Sequence, residues 1–264
     1  MSIIEPWTAA IVLLVLLGGS ALGLSLQRVL SEHHRSAGTT ALVSNVIIML
    51  STFAALVLSL LITDAKASFN RVDNWVRTFA IGLIELDDAL RNYGAEADPI
   101  RSTLRTYVTK AIATTWNAGQ RSAVDGQAKP LVHSIGRPEL DELWNSIHFQ
   151  IRELNPNDAI HRRLASECNR RVDAAGHTRL QLIEHIHRSI TPPFYLMLIF
   201  WLVVIYAGFG VMAPHNVLVY TTLAVGALSV ASAMFVLLEL DTPFAGLFTV
   251  PSQPMRDALM RMGG

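Results

Sequence analysis

ALVSNVIIMLSTFAALVLSLLIT, residues 41–63, contains no Asp, Glu, Lys, Arg or His. A charge-free apolar run of roughly 20 residues is long enough to cross the hydrocarbon core of a bilayer as a helix. Three more runs of this kind lie elsewhere in the chain: Trp7 to Leu26, Phe194 to Met212 and Val217 to Leu238. A spanning segment must satisfy its backbone hydrogen bonds internally, so all four are expected to be helical. The expected fold is an all-α membrane protein with four transmembrane helices. The 51% hydrophobic and 16% charged residues average two unlike materials, apolar ends and a polar middle from Asp64 to Thr191. We therefore divide the chain into residues 1–64 (first two spans), 65–191 (helical insert), 192–240 (last two spans) and 241–264 (C-terminal tail).

The segment before the first run carries Glu5 and no Lys or Arg, unlike the basic start of a cleaved signal peptide, so the first span is expected to be retained. Four crossings then place both termini and the insert on one side. That side has Lys66, Arg71, Arg77, Arg179, Arg188, Arg256 and Arg261 near the spans, against Arg28 and Arg35 on the other. The excess of positive residues predicts that the insert is cytoplasmic. Formal net charge is zero and the basic residues of the insert are interleaved with acidic ones, which argues against a nucleic-acid partner. The lone Cys168 has no intrachain disulfide partner, in keeping with a reducing compartment.

No Gly or Pro interrupts residues 41–81, so the second span is expected to continue past Asp64 as one long helix until Gly94, a natural helix stop. Asp98-Pro99 reads as an N-cap and first-turn proline opening a helix to about Asn117. Gly119 to Gly136 reads as a loop. Leu140, Leu143, Trp144, Ile147 and Ile151 follow at helical spacing from Pro138 to about Leu154. Asn155-Pro156 repeats the cap signature and is expected to start a helix reaching His187, before Pro192-Pro193 leads into the third span.

Within the second span Asn45, Thr52 and Ser59 recur every seven residues and Thr63 follows four later, with Met49 and Leu56 between them. These residues share one helical stripe. Such polar groups either hydrogen-bond to neighbouring helices as packing glue or, in several copies around an axis, line a wet path whose apolar rings gate by dewetting. Lys66, Asn70 and Asp73 or Arg77 would extend the face into a charged vestibule. Gly19 and Gly23, Gly208 and Gly210, and Ser229 and Ala233 read as close-packing positions.

His177, His185 and His187 with Glu184 contain one E-x-x-H pair. A di-metal bundle site needs two, and Arg179 and Arg188 disfavour a cation, so no metal or cofactor is expected. His33 and His34 read as a solvated pair. Arg162, Arg163, Arg170 and Arg171 read as a solvated face paired with Asp158, Glu167 and Asp173. Catalytic and phosphate-binding motifs are missing from the sequence, so no enzymatic activity is expected.

The segments Ala54 to Leu61 with Asp64 to Phe69, Leu86 to Gly94, and Leu240 to Gly246 together resemble the bacterial bestrophin-like domain family. That family is distantly similar to bestrophins, pentameric channels that carry anions in animals and cations in some bacteria. The resemblance implies four membrane helices, cytoplasmic termini, a helical insert between the second and third spans, and a pore lined by the second. Asp241, Pro243, Phe244 and Gly246 are similar to the Asn-Pro-Phe-Gly stretch after the last span of bestrophins. The acidic calcium clasp that follows there is replaced by Leu247-Phe248-Thr249, so calcium gating is not implied.

The reading that follows is a homo-oligomeric, pentameric ion channel of the bacterial inner membrane, in contact with lipids and inorganic ions. Its pore would be lined by Asn45, Met49, Thr52, Leu56, Ser59 and Thr63, with Lys66 and Asn70 in the vestibule. Anions are favoured on the resemblance alone, since no Arg or Lys ring lies within the spans. The alternative is a membrane-anchored scaffold without conduction. A transporter fits less well, since the spans show no inverted repeat.

Overall fold

The computed structural model describes residues 6–29, 37–117, 137–186, 192–214, 216–244 and 247–263. The elements are α1 (Pro6–Val29), α2 (Ala37–Tyr93), a 3-10 turn (Ala95–Ala97), α3 (Asp98–Ile112), a π turn (Ala113–Asn117), α4 (Pro138–Arg152), α5 (Ala159–Ile186), α6 (Pro192–Met212), α7 (Val217–Leu240) and α8 (Gln253–Gly263). Among the described residues there is no strand. The chain forms two compact units, Ile3–Ala67 with Ile190–Asp241 and Ser68–Ser189 with Thr242–Gly264.

In the first unit α1, α2, α6 and α7 are each long and apolar enough to span a bilayer. Helix α1 packs against α6 and α7. The close approach is made by glycine. A Cβ at Gly23 would collide with the Ala207 carbonyl, one at Gly210 with the Ser20 carbonyl, and one at Gly19 would stand 3.1 Å from the Val203 carbonyl oxygen. Lipid tails are as apolar as these helices, so association relies on such tight van der Waals packing. Ile47 of α2 fills the space that Gly208 of α6 leaves open. Gln27, buried near the end of α1, donates from Nε2 to the Ala213 carbonyl at 3.1 Å. Asn216 caps α7 by accepting from Leu218 N–H at 3.1 Å.

The second unit is built around the rest of α2. Helix α2 is 57 residues long, about 85 Å at 1.5 Å per residue. It ends at Gly94, whose φ of 110° is the one positive value among the described residues. Val72, Val76, Phe79, Leu83, Leu86 and Leu90 recur at helical spacing and form its buried stripe. Leu104 and Tyr107 of α3, Leu140, Trp144, Ile147 and Ile151 of α4, Val172 and Leu182 of α5 and Met255 of α8 complete the core. Of the expected α4 stripe only Leu143 is half-buried.

Two caps fall elsewhere than expected. Asp98 is already helical (φ −58°, ψ −38°), Ala97 occupies the N-cap, and the Asp98 carboxylate turns to Arg101 at 3.5 Å. The 3-10 turn after Gly94 winds the chain early, so the cap falls one residue before the polar side chain. Helix α5 begins at Ala159, not at Asn155-Pro156. Asp158 accepts from His161 N–H at 2.7 Å, which holds its carboxyl below the usual carboxylate range. The expected loop 119–136 lies outside the described residues, as do His33, His34, Arg35, His187 and Arg188.

Candidate functional site

The stripe residues of α2 share one face. Asn45, Met49, Thr52, Leu56, Ser59, Thr63, Lys66 and Asn70 are all exposed in the single chain. At 3.6 residues per turn they fall within an arc of about 100°. The opposite side carries the buried Ile47, Ala54, Ala65 and Val72, each 5% exposed or less. The chain covers α2 least of its four spans: 11% of its most apolar window is buried, against 28%, 28% and 33% for α1, α6 and α7. Met49 and Leu56 are 54% and 63% exposed. The face thus alternates polar and large apolar groups along about four turns, and the chain's own helices leave it open.

The hydroxyls on this face are oriented. Thr52 Oγ1 donates to the Ile48 carbonyl at 3.0 Å and Thr63 Oγ1 to the Ser59 carbonyl at 2.8 Å. Each hydroxyl has one proton and two lone pairs, so spending the proton on the backbone leaves lone pairs to face outward. Further along α2, Arg77 is paired with Asp73 at 3.0 Å.

The Asp241-to-Gly246 motif does different work in its two halves. Asp241 is the C-cap of α7, its N–H reaching the Leu238 carbonyl at 3.2 Å. Phe244 is 5% exposed and meets Trp116 edge to face at 5.5 Å. Trp116 Nε1–H donates to the Val250 carbonyl at 2.8 Å, and Val250 N–H donates to the Pro243 carbonyl at 2.7 Å. The motif therefore acts as a latch that ties Pro243, Phe244 and Val250 to Trp116 at the end of the π turn. Gly246 lies outside the described residues.

Two buried charge networks in the second unit escape a reading of the sequence. Asp87, with a side chain 2% exposed, receives Arg101 through Nε at 2.9 Å and NH2 at 3.1 Å, and Arg91 at 3.5 Å. Arg179, 5% exposed, donates from Nε to Tyr107 Oη at 3.0 Å, pairs with Asp141, and lies 5.8 Å from the Trp144 ring centroid. Burial raises the Tyr107 phenol to about 12 despite the nearby guanidinium. An i,i+4 spacing hints at Arg91 and Asp87. The 14 residues between Asp87 and Arg101 give no signal until Gly94 turns the chain.

The arginine series of α5 is only partly what its spacing suggests. Arg170 and Arg171 both reach Glu167, but Arg171 also bridges to Glu85 of α2. Asp173 faces His148 at 3.8 Å rather than an arginine. Burial raises the Cys168 thiol to about 11. No group of three His, Cys, Asp or Glu side chains suited to a metal comes together among the described residues.

Comparison with known proteins places these features. The bestrophin-like domain family matches residues 13–255. No curated protein matches the chain. Among solved structures, a variant of a bacterial bestrophin homologue from Klebsiella pneumoniae superposes with a TM-score of 0.67 at 14% identity, covering 96% of this chain and 99% of that one. Another structure of that homologue gives 0.64 at 14% identity, covering 95% and 98%. A variant described only as a membrane protein gives 0.65 at 16% identity, covering 96% and 99%. At these identities the likeness concerns the fold. The match over residues 13–255 carries the assignment: this chain belongs to the bestrophin-like family.

Proposed function

We propose that the chain assembles as a homo-oligomer, a pentamer, and conducts ions across the bacterial inner membrane along an axis lined by the exposed face of α2. Termini and second unit lie on the cytoplasmic side in this reading. The observation that carries it is the open face from Asn45 to Thr63, uncovered by the chain's own helices and studded with polar groups. Left against lipid, the Asn45 amide would be costly; set around a shared axis, it and the hydroxyl lone pairs meet water and ions. Met49 and Leu56 form the constriction, and Lys66 and Asn70 line the mouth. No step makes or breaks a covalent bond.

A specific observation favours cations over the anions that the family resemblance suggests. The Thr52 and Thr63 hydroxyl protons are committed to backbone carbonyls, so oxygen lone pairs are presented to a passing ion. Flux from liposomes containing the purified chain, with chloride, sodium and potassium compared, tests both statements. Leu56→Ala widens the constriction and should raise the leak several-fold; a current equal to that of the parent chain would contradict the assigned constriction. A monomeric or dimeric mass in detergent would favour the scaffold role instead.

A further inference from the structure

Thr52 is a polar group set among apolar ones on the open face of α2. Ile48, Met49, Phe53 and Leu56 surround it on the helix surface and are 61%, 54%, 48% and 63% exposed in the single chain. Between Asn45 and Ser59 the one other polar residue is Ser51. Ser51 is half-buried off this stripe, and its Oγ donates to the Ile47 carbonyl at 2.8 Å. Met49 precedes Thr52 by about 4.5 Å along the helix axis and Leu56 follows it by about 6 Å. The Thr52 hydroxyl is therefore the single polar side-chain group on about 10 Å of the face.

Its oxygen is presented in one sense. Oγ1 spends its proton on the Ile48 carbonyl at 3.0 Å, which leaves lone pairs to face outward. Residues 41–63 contain no Asp, Glu, Lys, Arg or His, so the oxygen is neutral and no charge within the span reinforces it. An ion that enters an apolar stretch sheds part of its water, and the number and strength of the oxygens that replace it decide which ion loses least. Neutral hydroxyl oxygens attract weakly. They do not offset the drying of a doubly charged ion, because the cost of taking charge out of water rises steeply with the charge, and magnesium dehydrates with particular reluctance. A large monovalent cation holds its water loosely and gives it up most readily. Thr63 has the same hydroxyl geometry, but Asp64 follows it at once and Lys66 two residues later, at the charged end of the span.

We propose that Thr52 sets the ion preference of the α2 path, passing potassium and caesium ahead of sodium and lithium and holding back magnesium and calcium. The assignment rests on the conduction reading above and adds to it the selecting residue and the order of ions.

Reversal potentials of the full chain in planar bilayers test it, with each of these cations in turn opposed to potassium and with chloride varied separately. Potassium and caesium should permeate several-fold better than sodium, lithium should rank below sodium, and magnesium, calcium and chloride should carry little current. Thr52→Val keeps the shape of the side chain and removes the oxygen. It should lower the potassium current about tenfold, as for one lost polar contact to a charge, and bring the sodium and potassium permeabilities together. Thr52→Ser retains the oxygen and should retain the order. A permeability ratio is independent of how many channels reach the bilayer, so a merely structural effect of the substitution would not move it. A parent chain that conducts sodium, calcium or chloride as well as potassium, or a Thr52→Val chain with the parent's ion order, overturns the assignment and leaves conduction along α2 standing. A parent chain that carries no current with any ion overturns the conduction reading and the assignment with it.

Discussion

Arg179 illustrates how one residue changes meaning between sequence and structure. Near the third span it counts as a positive-side marker, yet it is buried between Tyr107, Trp144 and Asp141. Its charge thus serves the interior of the second unit. Asp87 is the sharper case, because three-way pairing with Arg101 and Arg91 leaves it 1% exposed. Removing one member of a buried pair strands the others' charge, typically at a cost of about 3–5 kcal/mol. Asp87→Ala is therefore expected to lower the thermal midpoint of the purified chain sharply, measured by circular dichroism, whereas Asp173→Ala at a 61% exposed side chain should hardly move it. His148 gives a pH dependence. Burial holds its proton affinity below the ordinary 6.5, so an unfolded chain takes up the proton first as pH falls. The stability due to the neutral ring is present above pH 6.5 and is lost as pH drops through the lowered folded value. Thermal midpoints taken between pH 7 and pH 5 should fall, and His148→Gln should flatten that fall.

At the scale of elements, most of the architecture was legible. Apolar runs too long for a soluble core located α1, α2, α6 and α7, and the absence of Gly and Pro foretold that α2 would outrun the bilayer. Gly94 stops it because its φ of 110° is open to glycine and strained for other residues. A Cβ there would touch nothing within 4 Å, so the cost of Gly94→Ala is purely conformational. A loss of about 1–3 kcal/mol is expected, readable as a shifted unfolding midpoint with unchanged helical content. The cap residues were less legible. Asp98-Pro99 and Asn155-Pro156 look alike in sequence, but the first is preceded by a 3-10 turn and the second yields to Asp158. Which of several adjacent polar residues caps a helix depends on the approach of the preceding chain, which local composition does not encode. The latch of Phe244, Trp116 and Val250 was hidden for a related reason, since its partners are 134 residues apart and only folding brings them together.

For the whole molecule, the exposed α2 face is what ties the chain to a function. Seven-residue spacing of Asn45, Thr52 and Ser59 made the stripe visible in the sequence, because side chains on a helix repeat by geometry alone. The direction of the hydroxyl protons was not visible, since it depends on side-chain rotamers. Sequence spacing also could not say whether the stripe is glue or pore lining. In the single chain the stripe is exposed, and the proposed assembly would set copies of it around a shared axis.

Modification of an introduced cysteine tests the central claim most directly. Cys168 is buried and its thiol is raised to about 11, so the parent chain should ignore a charged methanethiosulfonate reagent. In liposomes, Thr52→Cys should react with it and lose ion flux, while Val46→Cys, about 120° around the same helix, should conduct unchanged. Flux through Thr52→Cys that persists after full exposure to the reagent, with Val46→Cys blocked instead, would contradict a water-filled path along the Asn45-to-Thr63 face.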